Sequence, residues 1–135
     1  MDLGSFKKKD TTEVELRLPN QTLITHDDGV PMTITVYGVY SDKYRDALDA
    51  QQTIRIKRAQ ASGGKMTLTP EELRADRFSF VVSMVQSWNI TLDGEKPECS
   101  QRTVRDLFER LPFVYDAVNS NIEDGQSFLE TQSKT

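Results

Sequence analysis

The chain has 135 residues, enough for one compact domain and too few for two ordinary ones. Leu, Ile, Val and Phe make up about a quarter of it and charged residues 28%, which excludes a disordered chain and supplies a modest core. Acidic residues number 21 against 17 basic, which argues against a surface given over to nucleic acid but leaves a local basic patch open.

Residues 1–10, MDLGSFKKKD, place no apolar run behind their charges and are read as a flexible tail, not a secretory signal. Val14, Leu16 and Leu18 then alternate with Glu13, Glu15 and Arg17, and Met32, Ile34 and Val36 with Thr33, Thr35 and Tyr37. A period of two marks half-buried strands. Pro19, Asp28-Gly29 and Pro31 punctuate the stretch between, so a β-hairpin over 11–38 with a wide loop at its tip is expected.

Ser41 opens a helix of about 20 residues, with Asp42 and Asp46 near its start and Arg55, Lys57 and Arg58 near its end, a gradient that complements the helix dipole. Its apolar residues, Tyr44, Ala47, Leu48 and Ile54, are too few for a well-buried helix. Ser62-Gly63-Gly64 breaks it at what reads as a flexible joint. Thr69-Pro70-Glu71-Glu72 has the form of a capping box with proline at the first helical position, and predicts a second helix to about Trp88. From Phe78 nearly every residue is apolar, while Ser79, Ser83 and Gln86 or Ser87 form one narrow polar face. Two readings stand for this helix: plain core, or a core helix whose flank of Phe80, Met84 and Trp88 faces a protein partner, a setting in which Met and Trp are enriched.

Ile90 and Leu92 lead into an Asp93-Gly94 turn. Ser100 caps a third helix carrying Val104, Leu107, Phe108 and Leu111. Pro112 ends it and starts a fourth, with Phe113, Val114, Ala117, Val118 and Ile122, which closes at Asp124-Gly125. Residues 130–135 are polar and expected to fray. The expected fold class is α+β: an N-terminal β-hairpin followed by a mainly helical C-terminal part (41–129) of four helices, forming a single domain over 11–129 between flexible tails.

The chemistry-bearing residues are sparse. One cysteine, Cys99, and one histidine, His26, exclude an internal disulfide, a Cys-rich zinc site and a multi-His metal centre. His26 reads as a solvated loop residue beside Asp27 and Asp28. Cys99 reads as a small residue at a helix entrance, where the helix terminus favours a lowered thiol pKa. The pairs Asp27–Asp28, Glu71–Glu72 and Glu123–Asp124 sit at turns or a helix start and read as solvated surface. No phosphate-binding glycine loop or nucleophile elbow occurs, and no catalytic, metal-binding or cofactor-binding residue is assigned. Lys7–Lys9 and Arg55, Lys57 and Arg58 are basic runs without interleaved aromatics, so nucleic acid is a minor reading. No stretch reaches the ~20 apolar residues of a membrane span, and an intracellular protein is expected.

The segment SWNITLDGEKPECSQRTVRDLFERLPFVYDAVNSNIEDGQSFL resembles the tail assembly chaperones of long-tailed bacteriophages. The resemblance rests on Trp88, the Asp93-Gly94 turn, the Ser100 cap, Phe108-Glu109-Arg110-Leu111-Pro112-Phe113 and Phe128-Leu129. Upstream, Tyr37-Gly38, Ser41-Asp42 and Tyr44-Arg45 are similar to the family's Tyr-Gly-x-x-Ser-Asp-x-Tyr-Arg stretch. It covers most of residues 30–129, and its motifs are caps and packing residues. The N-terminal strand and the loop around His26 have no counterpart in it.

The resemblance implies a non-enzymatic protein that binds tape-measure and tail-tube proteins in the host cytoplasm before the tail is complete, and is absent from the mature virion. Some members are also made as a longer frameshifted product. Partner contacts are expected from Tyr44, Leu48 and Ile54 on the first helix and from Phe80, Met84 and Trp88 on the second. No cofactor and no membrane are expected, and self-association is left open. The rival readings are a structural tail or head–tail connector subunit retained in the virion, and a small nucleic-acid-binding regulator using Arg55, Lys57 and Arg58.

Overall fold

A computed structural model describes residues 2–64 and 68–131. Among the described residues the chain is α+β, with four α-helices and five strands in two antiparallel sheets. β1 (Phe6–Lys8) pairs with β5 (Leu129–Thr131), and β2 (Thr11–Glu15), β3 (Thr33–Tyr37) and β4 (Val85–Asn89) form a second sheet in the order β2-β3-β4. The helices are α1 (Asp42–Ala61), α2 (Pro70–Met84), α3 (Gln101–Arg110) and α4 (Pro112–Ile122), with short 3-10 turns at Leu3–Ser5 and Gly125–Phe128.

The expected hairpin forms, with Thr11 opposite Tyr37 and Glu15 opposite Thr33. Its alternation sorts the two faces. Val14, Leu16, Ile34 and Val36 enter the core, while Glu13, Glu15, Thr33 and Thr35 stay outside it. The connecting loop folds into smaller hairpins through bridges from Arg17 to Leu23 and from Thr25 to Pro31. Helix α4 lies against β2 and β3, α2 runs into β4, α3 packs on α2 and α4, and α1 lies outside against α2. The core between sheet and helices includes Val81, Met84, Phe108, Val118, Ile122 and Phe128.

Helix starts follow their local signals. Ser41 Oγ accepts the Tyr44 N–H, and Thr69 Oγ1 accepts the Glu72 N–H ahead of Pro70. The reciprocal capping box forms at α3, where Ser100 and Thr103 each bond the other's backbone N–H. Asp93 and Gly94 both take positive φ, +53° and +80°, the conformation of a type I′ turn, and the turn is closed by a Leu92–Glu95 bridge.

Three expectations are corrected. The second helix ends at Met84, not Trp88, because residues 85–89 pair with β3. A register shift at Thr35/Val36 keeps both Val85 and Trp88 beside the core-facing Val36 and Ile34, so side chains at helical spacing in sequence serve a strand. Secondly, the segments expected as flexible tails, 1–10 and 130–135, each contribute to a strand: Phe6 lies opposite Thr131 and Lys8 opposite Leu129. The ribbon is tied to the body by bonds from Lys9 N–H to Phe128 C=O (2.7 Å) and from Gly38 N–H to Asp10 C=O (3.0 Å). Residues 132–135 lie outside the described residues. Thirdly, His26 is buried rather than solvated. Its Nε2 donates to the Asn89 carbonyl (3.2 Å) and its Nδ1 bonds the Thr91 hydroxyl (2.6 Å), which pins the hairpin loop to the strand end after β4.

Candidate partner-binding surface

Helix α1 has no buried residue and packs on α2 along one side. Asp76 of α2 fastens that contact: Arg58 forks onto its carboxylate (3.1 and 3.3 Å), Arg55 lies 3.7 Å from it, and the Gln51 amide donates to its backbone carbonyl. Two of the three cations of the basic run are thereby committed within the protein, leaving Lys57 exposed beside them. A second junction joins α1, α2 and α4. Tyr44 Oη donates to the Glu123 carboxylate (2.9 Å), and Arg77 reaches Glu123 (3.1 Å) and Asn119 Oδ1 (2.7 Å). Burial first, and then the bond to Glu123 and its charge, hold the Tyr44 hydroxyl above its ordinary pKa.

Beside the Asp76 clamp a cleft of about 440 Å³ opens between α1 and α2. Ala47, Ala50 and Ile54 line it from α1, and Ser79, Phe80 and Ser83 from α2. The small-residue face of the second helix is thus the wall of this cleft. Ser83 spends its hydroxyl on the Phe80 carbonyl (2.6 Å).

The expected partner-binding residues are brought together only in part: Ile54 and Phe80 line the same cleft and Tyr44 packs on Phe80, while Leu48, Met84 and Trp88 lie away from it. Tyr44 is half-buried, edge-to-face against Phe80 at 5.2 Å, with its hydroxyl engaged as above. Leu48 and Ile54 are exposed, but at 100° per residue they sit about 120° apart around the helix. Ile54 lines the α1–α2 cleft, whereas Leu48 shares the opposite flank with exposed Ile56. The flank of the second helix expected to be exposed is largely covered. Phe80 (2% exposed) and Met84 (0%) are core residues, and Trp88 is a half-buried strand residue whose indole N–H donates to the Pro97 carbonyl at 2.9 Å. Sequence reading missed Ile56, whose apolar neighbours at helical spacing, Leu48 and Ala59, are too few to mark a stripe.

The residues that carry the family resemblance sit mostly in fold-closing contacts. Phe128 is fully buried over Gly38. Arg110 forks onto Asp93 (2.7 and 2.8 Å), joining the end of α3 to the Asp-Gly turn. This ion pair holds the Asp93 carboxyl below its ordinary pKa, chiefly through the hydrogen bond from Arg110. A depressed carboxylate pKa means the contact is fully present above the unfolded-state value and is lost as pH falls through the folded one. An NMR titration is expected to find Asp93 titrating at lower pH than in Arg110→Gln. Equal midpoints in the two proteins would show that the pair does not persist in water. For Cys99, half-buried ahead of the Ser100 cap, burial pushes the thiol pKa up, opposite to the lowering expected at a helix entrance.

No helix among the described residues is long and apolar enough to cross a membrane. The fold and surface define a small α+β body with a loosely packed outer helix and an adjoining cleft. Comparison with protein-family models, with curated proteins and with solved structures finds no match to the chain.

Proposed function

We propose that the protein is a non-enzymatic tail assembly chaperone of a long-tailed bacteriophage, acting in the host cytoplasm on tape-measure protein, tail-tube protein or both, and leaving before the virion matures. The observation that carries this reading is that separated parts of the resembling sequence meet in space. The Tyr37-Gly38 step packs under Phe128, and the Asp93-Gly94 turn is clasped by Arg110 of the FERLPF segment.

The surface is consistent with a transient holder. Helix α1 presents Leu48, Ile54 and Ile56 at 43, 48 and 50% exposure, on a helix fastened largely through polar contacts to Asp76 and Glu123. Apolar groups on a lightly anchored element suit contacts that must form and release.

The test is co-expression with the tube and tape-measure proteins of the same genome, followed by pull-down at low and high salt. Capture that resists salt is expected, because apolar contacts are not screened. Leu48→Ala and Ile54→Ala, each on a different flank, identify which side of α1 is used: one is expected to weaken capture and the other to leave it unchanged. Failure of capture together with stoichiometric recovery of the chain from virions would establish a structural subunit instead.

A further inference from the structure

The three-stranded sheet has an open edge at β2, and a cleft of about 650 Å³ lies between that strand, the turn after it and α4. The hydrogen-bond phase of the strand determines what the edge offers. Leu16 N–H bonds Met32 C=O, and Gly38 N–H bonds Asp10 C=O, both at 3.0 Å. In an antiparallel ladder bonded and non-bonded residues alternate, so the even-numbered residues of β2 face β3. Glu13 and Glu15 therefore turn their backbone N–H and C=O groups outward, and among the described residues no backbone bond from elsewhere satisfies them. Both residues are exposed, and both line the cleft.

We propose that this edge takes up an extended segment of a partner protein as a fourth strand, and that the segment alternates Lys or Arg with apolar residues. An added strand matches the unused backbone groups, the mode by which exposed sheet edges capture peptides. Its outward side chains come beside Glu13 and Glu15, where basic residues are favoured as cross-strand neighbours. Its inward side chains come over the cleft floor, where Leu18 (40% exposed) and half-buried Phe113 supply apolar surface. Asp116 adds a third carboxylate to the lining. Arg17 does not neutralise the edge: it lies 3.9 Å from Glu15 with both side chains about half exposed, and its guanidinium also donates to the Gln21 carbonyl.

The same charges disfavour a second copy of the chain. Antiparallel pairing of two β2 strands about Val14 sets Glu13 of each opposite Glu15 of the other, and like charges directly opposite are destabilising. In that register the edge repels itself, as edge strands that avoid aggregation do, while favouring a basic segment. The inference stands apart from the tail-assembly reading, since it needs no particular client.

The experiment is NMR titration of the full-length protein with a short blocked peptide of alternating Lys and Val. Saturable shifts are expected at the amides of Glu13 and Glu15 and along Phe113–Ala117. The same peptide N-methylated on alternate amides, with charge retained, is expected to bind about tenfold more weakly, because its strand-forming donors are gone. Glu13→Lys with Glu15→Lys is expected to reverse the preference toward a peptide of alternating Glu and Val. Equal binding of the methylated peptide, shifts confined to other surfaces, or no saturable binding would each overturn the proposal. So would sedimentation showing a wild-type dimer that Glu13→Lys with Glu15→Lys abolishes. If that variant fails to fold, the methylated peptide on the wild-type protein decides. Peptide binding without capture of tail proteins would sink the tail-assembly reading alone, and capture without peptide binding would sink this one alone.

Discussion

Phe128→Ala is expected to lower the unfolding free energy by about 3–5 kcal/mol, the usual range for emptying a fully buried phenylalanine site. The ring is 0% exposed and lies against Gly38, where the chain passes from β3 toward α1. Gly38→Ala is expected to cost about 1–3 kcal/mol by overpacking, because its Cβ would stand under 3.0 Å from the ring. Neither the ring nor the Gly38 backbone moves freely: Gly38 bonds Asp10 and the Ser41 cap, and the Phe128 carbonyl bonds Lys9. The double variant is the decisive one. With the ring removed the new methyl has room, so the combined loss is expected to fall clearly short of the sum of the two. Urea unfolding followed by far-UV circular dichroism measures all three; strict additivity would show that the two residues do not touch. A loss of several kcal/mol is a large share of the 5–15 kcal/mol typical of a folded domain, so Phe128→Ala also risks a partly unfolded population at 37 °C.

Phe80→Ala is expected to cost about 3–5 kcal/mol, whereas Leu48→Ala and Ile54→Ala should each stay below about 1 kcal/mol. Phe80 is 2% exposed, with Tyr44 edge-on at 5.2 Å and the Arg77 guanidinium 5.0 Å from its ring centroid. Its removal opens a void where α1, α2 and the Tyr44–Glu123–Arg77 junction meet. Leu48 and Ile54 bury too little surface for a comparable effect. The contrast bears on function. Loss of client capture in Phe80→Ala or Met84→Ala would report unfolding, whereas loss in Leu48→Ala or Ile54→Ala would report a contact. Chemical denaturation alongside pull-down separates the two. A Phe80→Ala protein of unchanged stability that no longer captured its client would restore the second helix as a binding surface.

Signals that act within a few residues were legible in the chain alone. Ser41, Thr69-Pro70, Ser100 and Pro112 each begin a helix where their side chains or ring chemistry favour one. The alternation of Val14 and Leu16 with glutamates, and of Ile34 and Val36 with threonines, identifies two strands and their buried faces, because a pleated backbone sends neighbours to opposite sides. Charge and cap chemistry likewise predicted a long, mostly exposed first helix.

Tertiary structure decided the rest, and in each case through a partner distant in the chain. Residues 85–89 continue a helical apolar pattern in sequence, yet the open side of β3 makes them a strand and takes Trp88 off the helix. The two chain ends carry too few apolar residues to show a strand pattern separately, and they order each other by pairing. His26 looks solvated among its acidic neighbours, but the Asn89 carbonyl and the Thr91 hydroxyl meet both ring nitrogens and allow its burial. The sides of α1 that face solvent, and the backbone groups that β2 leaves open beside α4, depend on where other elements stop covering them. Local chemistry specifies where the helices start and the β2–β3 hairpin; the strands at 6–8, 85–89 and 129–131, and the faces left for partners, are specified only when the segments pack.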